Sequence, residues 1–181
     1  MPAWRTISLW MDQLDDPLLA RPALEHDLDV DVAIIGAGYT GLWTAYYLLA
    51  TQPGIRVTVL EAEHAGYGAS GRNGGWCSAL FPASVAKVAA MSDRDSAVRL
   101  QRAMHDTVDD IGHVVQAEGW DVHWAKGGTV VAARTPLQWQ RAQEEIAEWR
   151  HWGFGEEDYR LLGAEQTRQL VDATDVIGAT Y

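Results

Sequence analysis

Val30-Asp31-Val32-Ala33-Ile34-Ile35-Gly36-Ala37-Gly38-Tyr39-Thr40-Gly41-Leu42 is the stretch around which the rest of the chain is organised. Val30, Val32, Ala33, Ile34 and Ile35 make a short, nearly unbroken apolar run, which reads as a parallel strand covered on both faces. Leu42 to Ala50 contains no Pro, Gly or charge, as a buried helix requires. Strand, Gly-x-Gly-x-x-Gly and helix form the first half of a dinucleotide-binding βαβ unit. The second half follows in place. Gln52-Pro53-Gly54 stops the helix, Arg56 to Leu60 is β-branched and strand-like, and Glu61 stands twenty positions after Gly41.

Each residue type has a physical task in that pattern. Gly36 permits a tight turn, Gly38 lets backbone approach a pyrophosphate, and Gly41 lets the helix lie close on the strand. The free N–H groups of the helix's first turn, at the positive end of its dipole, then face the phosphates. Glu61 accepts hydrogen bonds from a ribose diol, while its charge repels a 2′-phosphate. This favours FAD or NAD over NADP. The uncharged run Val32 to Ile55 is long enough to span a membrane, yet its glycine turn and its Pro, Gln and Thr exclude that reading, because an interrupted strand-turn-helix leaves backbone groups unsatisfied in lipid.

The chain has 181 residues, 48% of them hydrophobic, enough for one core of ordinary size or parts of two. Its formal net charge of −11 argues against nucleic acid or an anionic membrane surface as partner. The charge is uneven: residues 31–104 hold six Lys/Arg against five Asp/Glu, so the acidity lies outside the nucleotide-binding region. The single cysteine, Cys77, excludes an internal disulfide framework and fits a reducing compartment. With no secretory signal visible after Met1, a cytoplasmic location is expected.

Residues 1–29 form an acidic, proline-containing arm in which Trp4, Ile7, Leu9, Trp10, Leu14, Leu18 and Leu19 offer too much apolar surface to leave in water. The arm is expected to dock on the body of the protein. After Glu61, residues 65–76 hold five glycines among Ser70, Arg72 and Asn73. Backbone of this composition wraps closely around a ligand, and its position after the second strand puts it where ligands sit in such folds.

Farther on, Ser92-Asp93-Arg94-Asp95 has the spacing of a capping box, and Leu100, Met104, Val108, Ile111 and Val115 follow as one buried helical stripe closed by Gly119. His105 and His113 lie near that stripe without a ligand set, and no metal is expected. Asp121 to Ala133 reads as a hairpin around Lys126-Gly127-Gly128. Thr135-Pro136-Leu137-Gln138 is a second capping box; Trp139, Ala142, Ile146 and Trp149 repeat behind it, and Gly153 stops that helix. A short helix at Glu165 to Val171 and a strand from Val176 complete the pattern.

Asp29 to about Pro82, with its two glycine motifs, resembles the N-terminal region of the FAD-dependent amine and D-amino-acid oxidase family. Within that family the likeness is greatest to the gamma-glutamylputrescine oxidase and glycine or D-amino-acid oxidase group. The tryptophan-bearing arm and Val122 to Thr129 share it. The resemblance implies an α/β fold, a Rossmann-like FAD-binding domain followed by the beginning of an α+β substrate domain. It divides the chain into an arm (1–29), the N-terminal part of the FAD domain (30–118) and the start of the substrate domain (119–181), the whole being a truncated piece of a longer protein.

It further implies that Gly36, Ala37, Gly38, Thr40 and Gly41 hold the diphosphate and that Glu61, with Ala62 beside it, holds the adenosine ribose. Ser70, Arg72, Asn73, Gly74 and Gly75 would pass beside the diphosphate, ribityl chain and flavin, with Trp76 and Cys77 near the ring. Cys77 is expected as a buried, unreactive thiol, and FAD as non-covalently held. The implied reaction is oxidation of a small amine or amino acid, with oxygen or an electron carrier as acceptor and no catalytic residue assigned in this chain. A non-catalytic nucleotide-binding fragment and an NAD-dependent dehydrogenase are the alternatives.

Overall fold

The computed structural model describes residues 3–19 and 21–181, which fall into two compact units, Met1–Trp76 and Cys77–Tyr181. In the first, helix α1 (Leu9–Asp12) is capped by Ser8, whose Oγ accepts from the Met11 N–H. Strands β1 (Val32–Ile35) and β2 (Val57–Leu60) pair parallel in the register Val32↔Val57 to Ile35↔Leu60, with α2 (Tyr39–Thr51) as the crossover between them. The expected strand-turn-helix-strand order is therefore present. Helix α2 starts three residues earlier than its apolar run, because Gly38 itself is the N-cap and the last glycine of the motif is already helical.

Beside the start of the pair, the Arg56 guanidinium donates to both carboxylate oxygens of Asp31, Nη2 to Oδ1 at 2.9 Å, and to the carbonyl of Asp29. These bonds hold the Asp31 carboxyl down at about 2. One expectation fails here. Strand β1 is covered on a single face: Val32 and Ile34 are half-buried, whereas Ala33 is exposed and Ile35 is 90% exposed. A two-stranded sheet with one crossover helix supplies only one covering layer.

The second unit opens with α3 (Val85–Met91), capped by Ser84, and the long helix α4 (Arg94–Ala117). The capping box expected at Ser92 is displaced by one residue: Asp93 is the N-cap, its Oδ1 accepting from the Ser96 N–H at 2.8 Å. Ser92 is already committed to closing α3, where its N–H and Oγ donate to the Val88 carbonyl. Sequence reading did not include α3, and without it Ser92 looked free to cap.

The expected hairpin over 121–133 does not form. Only β3 (Val131–Ala133) is a strand, and it pairs antiparallel with β5 (Gly178–Thr180), whose other edge takes β4 (Leu161–Gly163). Residues 120–130 are held by side chains instead of a ladder. Lys126 pairs with Asp109, the Tyr181 hydroxyl donates to the Gly127 carbonyl at 2.8 Å, and the Trp124 indole lies against Gly112 of α4.

Helix α5 (Pro136–Trp152) follows the sequence closely. Thr135 Oγ1 accepts from the Gln138 N–H, Gln138 Oε1 accepts from the Thr135 N–H, and Gly153 ends the helix in the left-handed region at φ 90°. Its buried face, Ala142 and Ile146, lies over the three-stranded sheet, and Gly178 admits Trp139: a Cβ there would run into the Trp139 ring and the Leu162 carbonyl. The short α6 (Ala164–Leu170) buries Thr167 completely. Among the described residues, no helix is long and apolar enough to cross a membrane.

Candidate cofactor site

Two glycine-rich segments of the first unit meet at the N-terminus of α2. Gly36, at φ 98°, makes the turn out of β1, and its N–H still donates to the Leu60 carbonyl, so the turn begins on the last rung of the ladder. Gly41 faces back onto that turn. A Cβ there would collide with the Gly36 carbonyl oxygen and stand 3.2 Å from Ile34 Cγ2. Gly38 differs, since the nearest atom to its missing Cβ is a single hydroxyl, Ser70 Oγ, at 3.0 Å.

That hydroxyl comes from the second segment. Ser70 Oγ accepts from the Tyr39 N–H at 2.9 Å, supplying the cap that Gly38 cannot. The Gly66 N–H donates to the Ala37 carbonyl at 2.9 Å, which ties the second loop to the first. Gly71 packs against the Gly66 carbonyl as Gly41 does against Gly36. Asn73 is the hub of the loop: Nδ2 donates to the Ser70 carbonyl at 2.8 Å, Oδ1 accepts from the Gly75 N–H at 2.7 Å, and Nδ2 reaches Tyr39 Oη at 3.4 Å.

Glu61, at the end of β2, points into the same turn. Its Oε2 accepts from the Ala37 N–H at 2.7 Å and its Oε1 from the Glu63 N–H at 3.1 Å. The Ala37 bond, then the Glu63 bond, keep this exposed carboxyl below its usual range. It is therefore an anion at neutral pH with lone pairs left for further donors. Ala62 is exposed beside it, and Thr40 and Gly74 are likewise exposed.

Arg72 is placed otherwise than a phosphate-facing cation would be. Its Nε donates to the Tyr67 carbonyl at 2.9 Å and its guanidinium lies 4.9 Å from the Tyr67 ring. Gly68, Ala69, Arg72 and Asn73 line an open depression of about 580 Å³. Cys77 is exposed, which corrects the expectation of a buried thiol, although partial desolvation still raises its pKa.

The donors left over match an anion. Among the described residues no protein acceptor pairs with the amides of Gly38, Thr40 and Gly41, while those of Ala37 and Tyr39 are engaged by Glu61 and Ser70. Unpaired amides at the positive end of a 13-residue helix attract phosphate oxygens. A second concavity of about 640 Å³ lies between α4 and residues 119–126, but there Asp109 is already neutralised by Lys126, and Asp121 adds a further carboxylate to the lining. Sequence reasoning missed Tyr39 and Trp10 as neighbours of the loop. Trp10 Nε1 donates to the Asn73 carbonyl across 63 positions, a pairing that no local pattern signals.

Elsewhere the second unit holds a part-buried polar cluster. His105 lies within 3.0 Å of the Tyr159 hydroxyl and 3.6 Å of Asp158, and Gln101 donates to that hydroxyl. Tyr159 stacks on Trp149 with ring centroids 4.0 Å apart. Burial, and then the Asp158 charge, push Tyr159 up to about 12, so it stays a neutral packing residue.

The chain belongs to the DAO family of FAD-dependent oxidoreductases, whose family model matches residues 31–181. Among individual proteins it is 30% identical over 156 residues to the gamma-glutamylputrescine oxidoreductase of Escherichia coli (strain K12), covering 86% of this chain and 35% of that protein. It is 27% identical over 163 residues to the probable oxidoreductase OrdL of Haemophilus influenzae, covering 88% and 36%. A 54-residue stretch is 50% identical to the probable oxidoreductase OrdL of Rhizobium meliloti (strain 1021), covering 30% of this chain and 12% of that protein. The chain thus spans about a third of the length of the first two relatives.

Proposed function

We propose that this chain is the N-terminal part of a longer flavoprotein that oxidises a small amine or amino acid, and that it holds FAD non-covalently on a Rossmann-like domain. The observation that carries this reading is the meeting of two glycine loops at the start of α2 with three amides unpaired. The amides of Gly38, Thr40 and Gly41 take the diphosphate, and Gly36, Ala37 and Gly38 allow its close approach. Glu61 accepts from the adenosine ribose hydroxyls, with Ala62 alongside. Ser70, Asn73, Gly74 and Gly75 line the path of the ribityl chain and flavin, and Arg72 turns from Tyr67 to an oxygen of the diphosphate.

Bound FAD supplies the acceptor for a hydride from the carbon bearing nitrogen, and the imine so formed is hydrolysed. The chain's own part is to bind and orient; a neutral amine needs no acid or base from it. The name of the Escherichia coli relative specifies an amine, gamma-glutamylputrescine, which favours amines as the substrate class. In the longer protein, residues 30–118 belong to the FAD domain and 119–181 open the substrate domain, with oxygen or an electron carrier as final acceptor.

The test is to purify the protein at its natural length and release its cofactor by denaturation. The expected result is a yellow protein whose flavin absorbance bleaches anaerobically with an amine or amino acid. A colourless protein that binds NAD and ignores FAD would overturn the proposal.

A further inference from the structure

The N-terminal segment sits on the second glycine loop at several points. Trp10 Nε1 donates to the Asn73 carbonyl at 2.6 Å, and carbons of its ring lie 3.2 and 3.5 Å from where a Cβ on Gly75 would stand. Met11 is 7% exposed, while its neighbours Leu9 and Trp10 are 59% and 46% exposed. Its Cε lies 2.9 Å from the position of a Cβ on Gly71 and 3.9 Å from one on Gly66. Trp4 stands edge-on to His64 with ring centroids 5.9 Å apart, and Arg5 lies over the Trp4 ring.

Resting on the FAD reading above, we propose that residues 4–11 are a clasp that fixes the path of the glycine loop 66–75, with Trp10 and Met11 as positioning residues for the flavin end of the cofactor. The physical need is clear from composition. A loop with five glycines in residues 65–76 has few side chains with which to hold itself and loses much backbone entropy when ordered. Something outside it must fix it in advance, or binding bears that entropy cost.

A continuous set of bonds carries the clasp's effect to the helix. Trp10 holds the Asn73 carbonyl, the Asn73 side chain holds Ser70 and Gly75, and Ser70 Oγ holds the Tyr39 N–H at the start of α2. Met11 fills the hollow that Gly66 and Gly71 leave, so the loop's close backbone approach, Gly71 against the Gly66 carbonyl, is covered by one side chain. Ser8 fixes the turn that presents both residues.

The loop provides its own reporter, because Arg72 is exposed and offers trypsin the Arg72–Asn73 bond, next to the carbonyl that Trp10 holds. Trp10→Phe keeps an aromatic ring and removes the donor; Met11→Ala empties the hollow. In the protein at its natural length without cofactor, Trp10→Phe should be cut after Arg72 roughly fivefold faster than wild type, as expected when a bond of ordinary net strength is lost, and Met11→Ala faster by at least as much, because it forfeits packing and leaves a cavity. Cleavage after Arg134, in the other unit, and the behaviour of Leu19→Ala, on the arm outside the clasp, should stay unchanged. FAD titrations should show weaker binding in Trp10→Phe and Met11→Ala by a similar factor, with an altered visible circular dichroism band at saturating FAD, which loss of global stability alone does not produce.

Cleavage after Arg72 at the wild-type rate in both variants would sink the clasp. Acceleration at Arg72 and Arg134 together would also sink it, by showing general unfolding. If FAD neither binds the wild-type protein nor protects Arg72, the cofactor reading fails by itself, while the cofactor-free cleavage still decides whether the clasp exists.

Discussion

Gly41 and Gly38 look alike in the motif, yet the structure assigns them different work, and a pair of substitutions separates it. Gly41→Ala places a Cβ into the Gly36 carbonyl oxygen and within 3.2 Å of Ile34 Cγ2, so backbone must move. Overpacking of this kind costs about 1–3 kcal/mol, and alanine in the first turn of α2 returns at most about 1 kcal/mol of helix propensity. Because the colliding atom is a backbone oxygen, the cost falls in the upper part of that range, and the net expectation is a loss of about 1–2 kcal/mol with no cofactor present. Gly38→Ala meets only Ser70 Oγ, a rotatable hydroxyl, at 3.0 Å. Losing its bond to Tyr39 costs about 1 kcal/mol or less. Urea denaturation of the cofactor-free protein should therefore rank wild type, Gly38→Ala, then Gly41→Ala. FAD retention should be lost in Gly38→Val, whose branched side chain occupies the phosphate approach, and kept in the surface variant Gln143→Ala. If Gly41→Ala unfolds at or above the wild-type urea concentration, the close helix-strand approach is not what the third glycine serves. Equal flavin in Gly38→Val and wild type would remove the diphosphate from this turn.

Two further outcomes follow from packing and charge. Asp31, held at about 2 against an ordinary 3.8 chiefly by its hydrogen bonds to Arg56, stabilises the fold in its charged form. A depressed carboxyl contributes fully above its unfolded value and loses its contribution as pH falls through its folded one. The stability difference between wild type and Asp31→Asn, measured by denaturant titration, should thus be constant above 3.8 and vanish on approach to about 2; a difference that persists below that window refutes the role of the Arg56 pair. In the second unit, Gly178→Ala forces the Trp139 ring and the Leu162 carbonyl apart and should lower stability by about 1–3 kcal/mol, read as earlier urea unfolding. An unchanged transition would mean that α5 does not lie against β5 at this point.

What could be read from the residues alone depended on whether local chemistry sufficed. The β1-α2-β2 order, the capping box at Thr135 with Gln138 and the stop at Gly153 all rest on contacts within a few positions, and each is legible for that reason. The 121–133 hairpin was misread because turn glycines and alternating apolar residues specify extended backbone without specifying its partner. Strand β3 finds that partner in β5, nearly fifty positions away. Ser92 and Asp93 show a smaller version of the same limit, in which two adjacent capping residues compete and the assignment turns on a neighbouring helix. Cys77 was expected to be buried from its type alone, and type does not fix where a loop residue points.

The site itself shows why so much of it was visible in the sequence. Its essential parts are absences of side chain, at Gly36, Gly38, Gly41 and Gly71, and glycine is the one residue whose role is fixed by what it lacks. The side chains that complete the site are less predictable because they are shared with the protein's own backbone. Glu61 and Ser70 satisfy the amides of Ala37 and Tyr39, leaving the amides of Gly38, Thr40 and Gly41 for a ligand. This division has an energetic consequence. A turn with every amide free would carry its whole desolvation cost unbalanced until an anion arrived, whereas two internal acceptors hold the turn in shape beforehand. The carboxylate proposed to receive the ribose already fixes the amide at the head of the turn, so in that reading Glu61 would serve both the cofactor and the loop that receives it.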